Sequence, residues 1–159
     1  MMTTVSMRDT LLEAARDVFE TMAFMALEET QEEITWGTED SLLGSITFKG
    51  NLEGCLCVCC AIPCAQAIAA NMLGMDSPEG LGQTDVQDAI GEIANMVLGS
   101  LKSRVQEQVG TLDVSIPSVI QGRRLRSGIG EGTSEIVINV SVEGQYPAVF
   151  SLLYRQTAV

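Results

Sequence analysis

The chain has 159 residues, 46% hydrophobic and 19% charged, with nine basic and 21 acidic side chains, a net charge of −12 and no histidine. So large a negative charge repels phosphate backbones and argues against nucleic-acid binding. Without histidine there is no Ser-His or Cys-His nucleophile and no His-ligated metal site. The composition is globular, and the length fits one domain over residues 1–159, with a core large enough to need neither disulfide nor structural metal. The longest apolar run, residues 55–65, is too short to span a bilayer, and no leader pattern opens the chain, so a cytoplasmic protein is expected.

In chain order, residues 5–28 carry Leu11, Leu12, Ala15, Val18, Phe19 and Met22 at helical spacing, with Asp9, Glu13, Arg16, Asp17 and Glu20 elsewhere on the wheel. That is an amphipathic helix. Short strands are expected around residues 33–36 and over 42–49, the second with Ile46 and Phe48 on one face. A Gly50-Asn51 turn leads into a strand over 53–62.

Five cysteines, Cys55, Cys57, Cys59, Cys60 and Cys64, crowd into this stretch. Alternate thiols on a strand are spaced about 6.6 Å apart, whereas zinc thiolates converge to about 2.3 Å from one ion. An odd count in a reducing compartment argues against a disulfide framework, so the thiols are expected to pack like small apolar side chains.

Pro63 suits the first turn of a helix running to about residue 73, where Gly74 ends it. Residues 75–82 read as a linker. The longest helix follows over 84–109, with Thr84 as N-cap and Gly110 as stop. A short strand over 112–116 reaches Pro117, and 118–130 read as an extended arm, with Arg123, Arg124 and Arg126 on a solvated face rather than in a docking patch. Strands over 136–142 and 148–155 flank a turn at Glu143, Gly144 and Gln145. Helices and strands in this order make an α+β fold, an antiparallel sheet packed on long helices. Each half opens with a long helix that leads into antiparallel strands, which suggests a pseudo-repeat.

The long helix is the informative segment. Val86, Ile90, Ile93, Val97 and Leu101 form one apolar stripe, and Asp88, Glu92, Asn95 and Gly99 form a second on the opposite side. The second stripe must face solvent or a partner. On that exposed stripe stand Gly91 and Gly99, each costing about 1 kcal/mol relative to Ala inside a helix. A bare Gly99 below Asn95 would let another molecule come close to that side chain. Asn is itself a poor helix former. From spacing alone, a solvated face on an acidic protein, with the glycines accepted for helix crossing or by drift, accounts for these features better than a site does.

The pattern Asp88-x3-Glu92-x2-Asn95, followed after 21 residues by Pro117, resembles the signature of the CheC/CheX/FliY phosphatases, which act on the phosphorylated chemotaxis response regulator CheY. The resemblance extends in order over about residues 5–155. It includes AIGEIANMVLGSL at 89–101, SIPSVIQGRRL at 115–125, and Gly50-x3-Gly54 ahead of the strand-helix unit ending AANMLGM. It implies a CheC-like two-layer fold whose exposed helix enters the receiver's active site, beside a phosphoaspartate and an Mg²⁺ that the receiver supplies. This chain would bind no cofactor or metal of its own. By motif position, Asn95 would orient the attacking water, Glu92 would pair with a receiver lysine, and Asp88 would play a supporting part. Pro117 would shape the chain beside the helix.

CheC-like members repeat the motif on their first helix. Here that helix offers Asp9-x3-Glu13-x2-Arg16, with a guanidinium in place of the amide and no Pro at the matching distance. Arg only donates hydrogen bonds, so it cannot accept one from water as Asn can. The resemblance therefore points to the CheX pattern, with one site per chain in a homodimer joined through strand edges and an apolar face. One departure is Ala94, where the family often has Gly; on the wheel it faces the core.

Two other readings follow from the same residues. One is a non-catalytic module of this fold that binds a receiver or belongs to a flagellar switch or scaffold. The other is a metal hydrolase using Asp85, Asp88 and Glu92, which the lack of a ligand-rich loop disfavours.

Overall fold

The structure is a computed structural model that describes residues 4–34, 40–123 and 132–157. Helix α1 (Thr4–Val18) runs into a π-helical turn (Phe19–Ala23), closed by Phe24 in the left-handed region at φ 56°. Strands β1 (Leu27–Glu29), β2 (Ser41–Lys49) and β3 (Leu52–Ala61) follow, then α2 (Ile62–Met72) and α3 (Gln83–Val109). The chain ends with β4 (Asp113–Val114), β5 (Ser118–Gly122), β6 (Ser134–Val142) and β7 (Tyr146–Gln156).

All strand pairs are antiparallel, in the order β1-β6-β7-β3-β2, with β4 and β5 both on the outer edge of β2. The expected pseudo-repeat takes an interlocked form. β3 and β7 pair at the centre, β1 of the first half lies beside β6 of the second, and β5 of the second lies beside β2 of the first. The antiparallel sheet packed on long helices is the architecture expected from the sequence.

Alternation divides each strand between two faces. Leu42, Ile46, Leu56, Val58, Ile138, Val140, Phe150 and Leu152 join the core with Leu11 and Phe19 of the first helix and with Ile68, Ile90, Ile93 and Val97 of α2 and α3. Phe19 and Phe150 meet edge to face at 5.9 Å. On the opposite face, Leu43, Cys55 and Cys57 form a separate small cluster with Cys59 beside it. The two glycines of the Gly50-x3-Gly54 pattern are steric requirements: a Cβ at Gly50 would lie 2.7 Å from the Thr111 carbonyl oxygen, and one at Gly54 would run into the Leu153 carbonyl.

Several boundaries differ from the sequence reading. The first helix ends at Ala23, and residues 27–29 form β1 where the helix was expected to continue. Arg8 pairs with Glu29, and Arg16 donates from Nε to the Leu27 carbonyl at 3.2 Å, so α1 itself anchors this strand. Of the strand expected around 33–36, Glu33 and Ile34 are not extended in a ladder, and Thr35 and Trp36 lie outside the described residues. The arm at 118–130 begins as β5, bonded to β2; Arg123 pairs with Asp40, while Arg124 and Arg126 lie outside the described residues. Helix α3 starts at Gln83 with Gly82 as N-cap. Asp85 accepts from the Gly82 N–H at 3.0 Å, so Asp85 does the capping expected of Thr84.

Candidate functional site

Helix α3 is held at both ends and along one side. The Gly82–Asp85 bond closes its start, and at its end Gly110 takes φ 78° and donates to the Gln106 carbonyl. Asn51 donates to the Val109 carbonyl at 3.2 Å. Val86, Ile90, Ile93, Val97 and Leu101 are buried, and Arg104 reaches Glu13 and Asp17 on α1. A helix so fixed carries its outer side chains on a rigid rod.

Those outer side chains are Asp88, Glu92, Asn95 and Gly99, and all four are exposed. They span about 16 Å at 1.5 Å per residue, with Glu92 and Asn95 neighbours at i, i+3. Among the described residues, no hydrogen bond or ion pair engages the side chains of Asp88, Glu92 or Asn95. The Asn95 amide is thus uncommitted, with donor and acceptor both available. A Cβ on Gly99 would find no atom within 4 Å, so the surface beside Asn95 is open. Ala94 is fully buried, facing the core as its wheel position requires.

Gly91 does not belong to the open stripe, although the sequence reading grouped it with Gly99. It is buried, and a Cβ there would lie 3.4 Å from Val119 Cγ2 and 3.7 Å from Pro117 Cγ. These are ordinary contact distances, so Gly91 marks where the β4–β5 edge packs on α3, one residue before Glu92, without requiring a glycine. Pro117 is therefore brought to the motif helix by direct packing. A helical wheel gives the angle of Gly91 but not which strand arrives there, so the sequence alone did not show this contact.

The matching position on α1 is already engaged. Arg16 is tied to the Leu27 carbonyl, and its guanidinium lies 3.4 Å from Glu28. Of the three carboxylates in the metal-hydrolase reading, Asp85 is spent on capping. Among the described residues no three His, Cys, Asp or Glu side chains are grouped to hold a metal ion.

The cysteines pack as thiols. Cys55, Cys57, Cys60 and Cys64 are buried, and none of the five is in a disulfide; the Cys55 and Cys57 sulfurs lie 3.6 Å apart, closer than the strand spacing expected from the sequence, because the two side chains lean together. A hydrogen bond with Cys64 and complete burial push the Cys60 thiol well above its ordinary pKa, and burial raises Cys59. No helix of the described residues is long and apolar enough to cross a membrane.

The family model for the chemotaxis phosphatase CheX matches residues 42–141, a stretch that holds Asp88, Glu92, Asn95 and Pro117. Among solved structures, the chain is similar to the chemotaxis protein CheX of Vibrio vulnificus, with 26% identity, a TM-score of 0.77, and coverage of 94% of this chain and 99% of that one. It shares its fold with a Borrelia burgdorferi CheX solved in complex with CheY, BeF3 and Mg²⁺, at 15% identity, a TM-score of 0.71, and coverage of 93% and 97%. The middle domain of Helicobacter pylori FliM has the fold too, at 11% identity, a TM-score of 0.63, and coverage of 94% and 87%. No curated protein matches the chain significantly. With well over half its length matched by the family model, and with the antiparallel sheet and three helices of CheX structures, this chain belongs to the CheX family of chemotaxis proteins.

Proposed function

We propose that the chain hydrolyses the phosphoaspartate of a CheY-type response regulator, and so ends a chemotaxis signal. The observation that carries this reading is the Asn95 amide, exposed, uncommitted and three residues from an equally exposed Glu92 on a rigid helix. Glu92 forms a charge-assisted pair with a lysine of the receiver and sets the register of the helix against it. Asn95 then accepts from a water proton and holds that water in line with the phosphorus. Asp88 adds negative charge one turn before Glu92, and Gly99 leaves room for the receiver's surface.

Phosphoryl transfer to water depends mainly on positioning and electrostatics. A chain without histidine can therefore supply catalysis with one amide. In this reading the Mg²⁺ and the electrophile belong to the receiver, and this chain binds no metal. Each chain of a homodimer carries one site, since Arg16 stands where α1 would need an amide. The shared fold of the FliM domain keeps a second reading open for test, a non-catalytic receiver-binding module.

The deciding experiment is phosphate release from a phosphorylated CheY-type receiver with and without the chain. Acceleration of at least tenfold is expected. Binding without acceleration would establish the non-catalytic reading instead. Glu92→Ala should raise the half-saturating receiver concentration about tenfold or more, as loss of a charge-assisted contact predicts. An unchanged half-saturation would remove Glu92 from docking.

A further inference from the structure

The β4–β5 edge contains a β-bulge. Phe48 of β2 faces Val114 and Ser45 faces Ser118, so two residues of β2, Ile46 and Thr47, lie opposite three, Ser115, Ile116 and Pro117. The Ser115 N–H donates to the Thr47 carbonyl, and the Thr47 N–H donates to Ser115 Oγ at 2.9 Å, which pins the extra residue in place. Bulges re-aim side chains and are over-represented beside active sites.

The re-aiming can be read from the register. Directly opposed residues of an antiparallel pair point to the same face. Val114 opposes Phe48, a core residue, so alternation from that end places Ile116 on the helix side. Val119 opposes Gly44, which packs on Ile90 of α3, so alternation from the other end places Pro117 on the helix side too. The extra residue thus breaks the alternation, putting Ile116 and Pro117 on the same side of the edge. Pro117 lies against Gly91. Ile116 is left 87% exposed, the highest value among the exposed large apolar residues described.

The Pro117–Gly91 contact and a Cα step of about 3.8 Å put the Ile116 backbone within about 11 Å of Gly91. On the wheel, Gly91 is only about 40° from Asn95. Gly91 lies about 6 Å from Asn95 along the helix, so Ile116 is at most about 17 Å from Asn95, and a partner covering a standard ~800 Å² patch centred there reaches about 16 Å, which brings its rim to the Ile116 side chain. Apart from the single Glu92–lysine pair, electrostatics work against such a partner: the chain carries −12, the stripe itself is acidic, and a phosphoaspartate is an anion. Binding therefore needs a contact that gains from desolvation, and an aliphatic side chain standing free beside the site provides one.

We propose that Ile116, presented by this bulge, is an apolar anchor for the receiver, seated against an apolar patch beside the receiver's phosphorylation pocket. This rests on the functional reading above and adds a docking residue to it. At 87% exposure Ile116 contributes little to the fold, so Ile116→Ser should fold as the wild type does. Val137, exposed on the opposite face of the sheet, is the control.

The test measures phosphate release against receiver concentration, and direct binding of the BeF3- and Mg²⁺-loaded receiver, for wild type, Ile116→Ser and Val137→Ser. Ile116→Ser should raise the half-saturating concentration and the dissociation constant about tenfold, with the maximal rate within about twofold and the melting temperature unchanged. Val137→Ser should match the wild type. Equal constants for Ile116→Ser and wild type would overturn the proposal. So would a shift in its sedimentation without a change in receiver affinity, which would assign Ile116 to a contact between copies. A wild type that binds through Ile116 without accelerating hydrolysis would sink the phosphatase reading and leave the anchor standing. A wild type that does neither would sink both.

Discussion

Asn95 and Gly99 are costly choices for the middle of a helix, and the structure shows them on the same open face. Because nothing packs against Gly99, replacing it by a good helix former should stabilise the fold while obstructing a docking partner. Gly99→Gln is expected to gain about 0.5–1 kcal/mol, raising the melting temperature by about 1–4 °C, and to slow receiver dephosphorylation at least tenfold. Calorimetry and phosphate release check the two halves, and a stabilised variant with unchanged turnover would remove Gly99 from the site. The open stripe was legible in the sequence because helical geometry fixes the angle between residues whatever surrounds them. Gly91 was misread for the same reason, since the wheel does not show that Pro117 and Val119 close against it.

Among the elements, the long strands and α3 were legible because their periodicity runs for many residues. β1 was not. Its three residues continue an apolar-acidic pattern that also suits a helix, and what makes them a strand is non-local: pairing with β6 and ties to Arg8 and Arg16. The β4–β5 bulge was hidden too, since only the register against β2 reveals an extra residue. The Arg8 tie gives a pH dependence. A hydrogen bond from Arg8, partly opposed by burial, lowers the Glu29 pKa below its usual value. A carboxyl with a lowered folded pKa stabilises the fold above its unfolded value of about 4.3, and that contribution is lost as the pH falls through the lower folded value. Glu29→Gln should therefore be less stable than wild type at pH 7, by about 0.5–1 kcal/mol for a partly exposed pair. The two should converge as the pH falls below about 4. Urea midpoints across that range check this, and a gap that widens in acid would contradict it.

At the scale of the whole molecule, the interlocked halves set α1 before β1 and α3 before β5, with an engaged Arg16 on the first helix and an exposed Asn95 on the other. Arg16 ties α1 to β1, whereas α3 keeps Asn95 free. The cysteines serve the interior. With its thiol held protonated by Cys64 and by burial, Cys60 should resist alkylation at pH 7 in the native chain, and partly exposed Cys59 should react slowly. Mass spectrometry after iodoacetamide treatment checks this, and rapid native labelling of Cys60 would contradict the packing described. The account as a whole depends on one amide acting on another protein's phosphoryl group. The most direct measurement is single-turnover phosphate release from a saturating phosphorylated receiver with Asn95→Ala, a substitution that favours the helix and leaves the core untouched. The account predicts a rate at least tenfold slower, near that of the receiver alone, with receiver affinity within about threefold of wild type. An Asn95→Ala chain that still accelerates hydrolysis to the wild-type extent would contradict it.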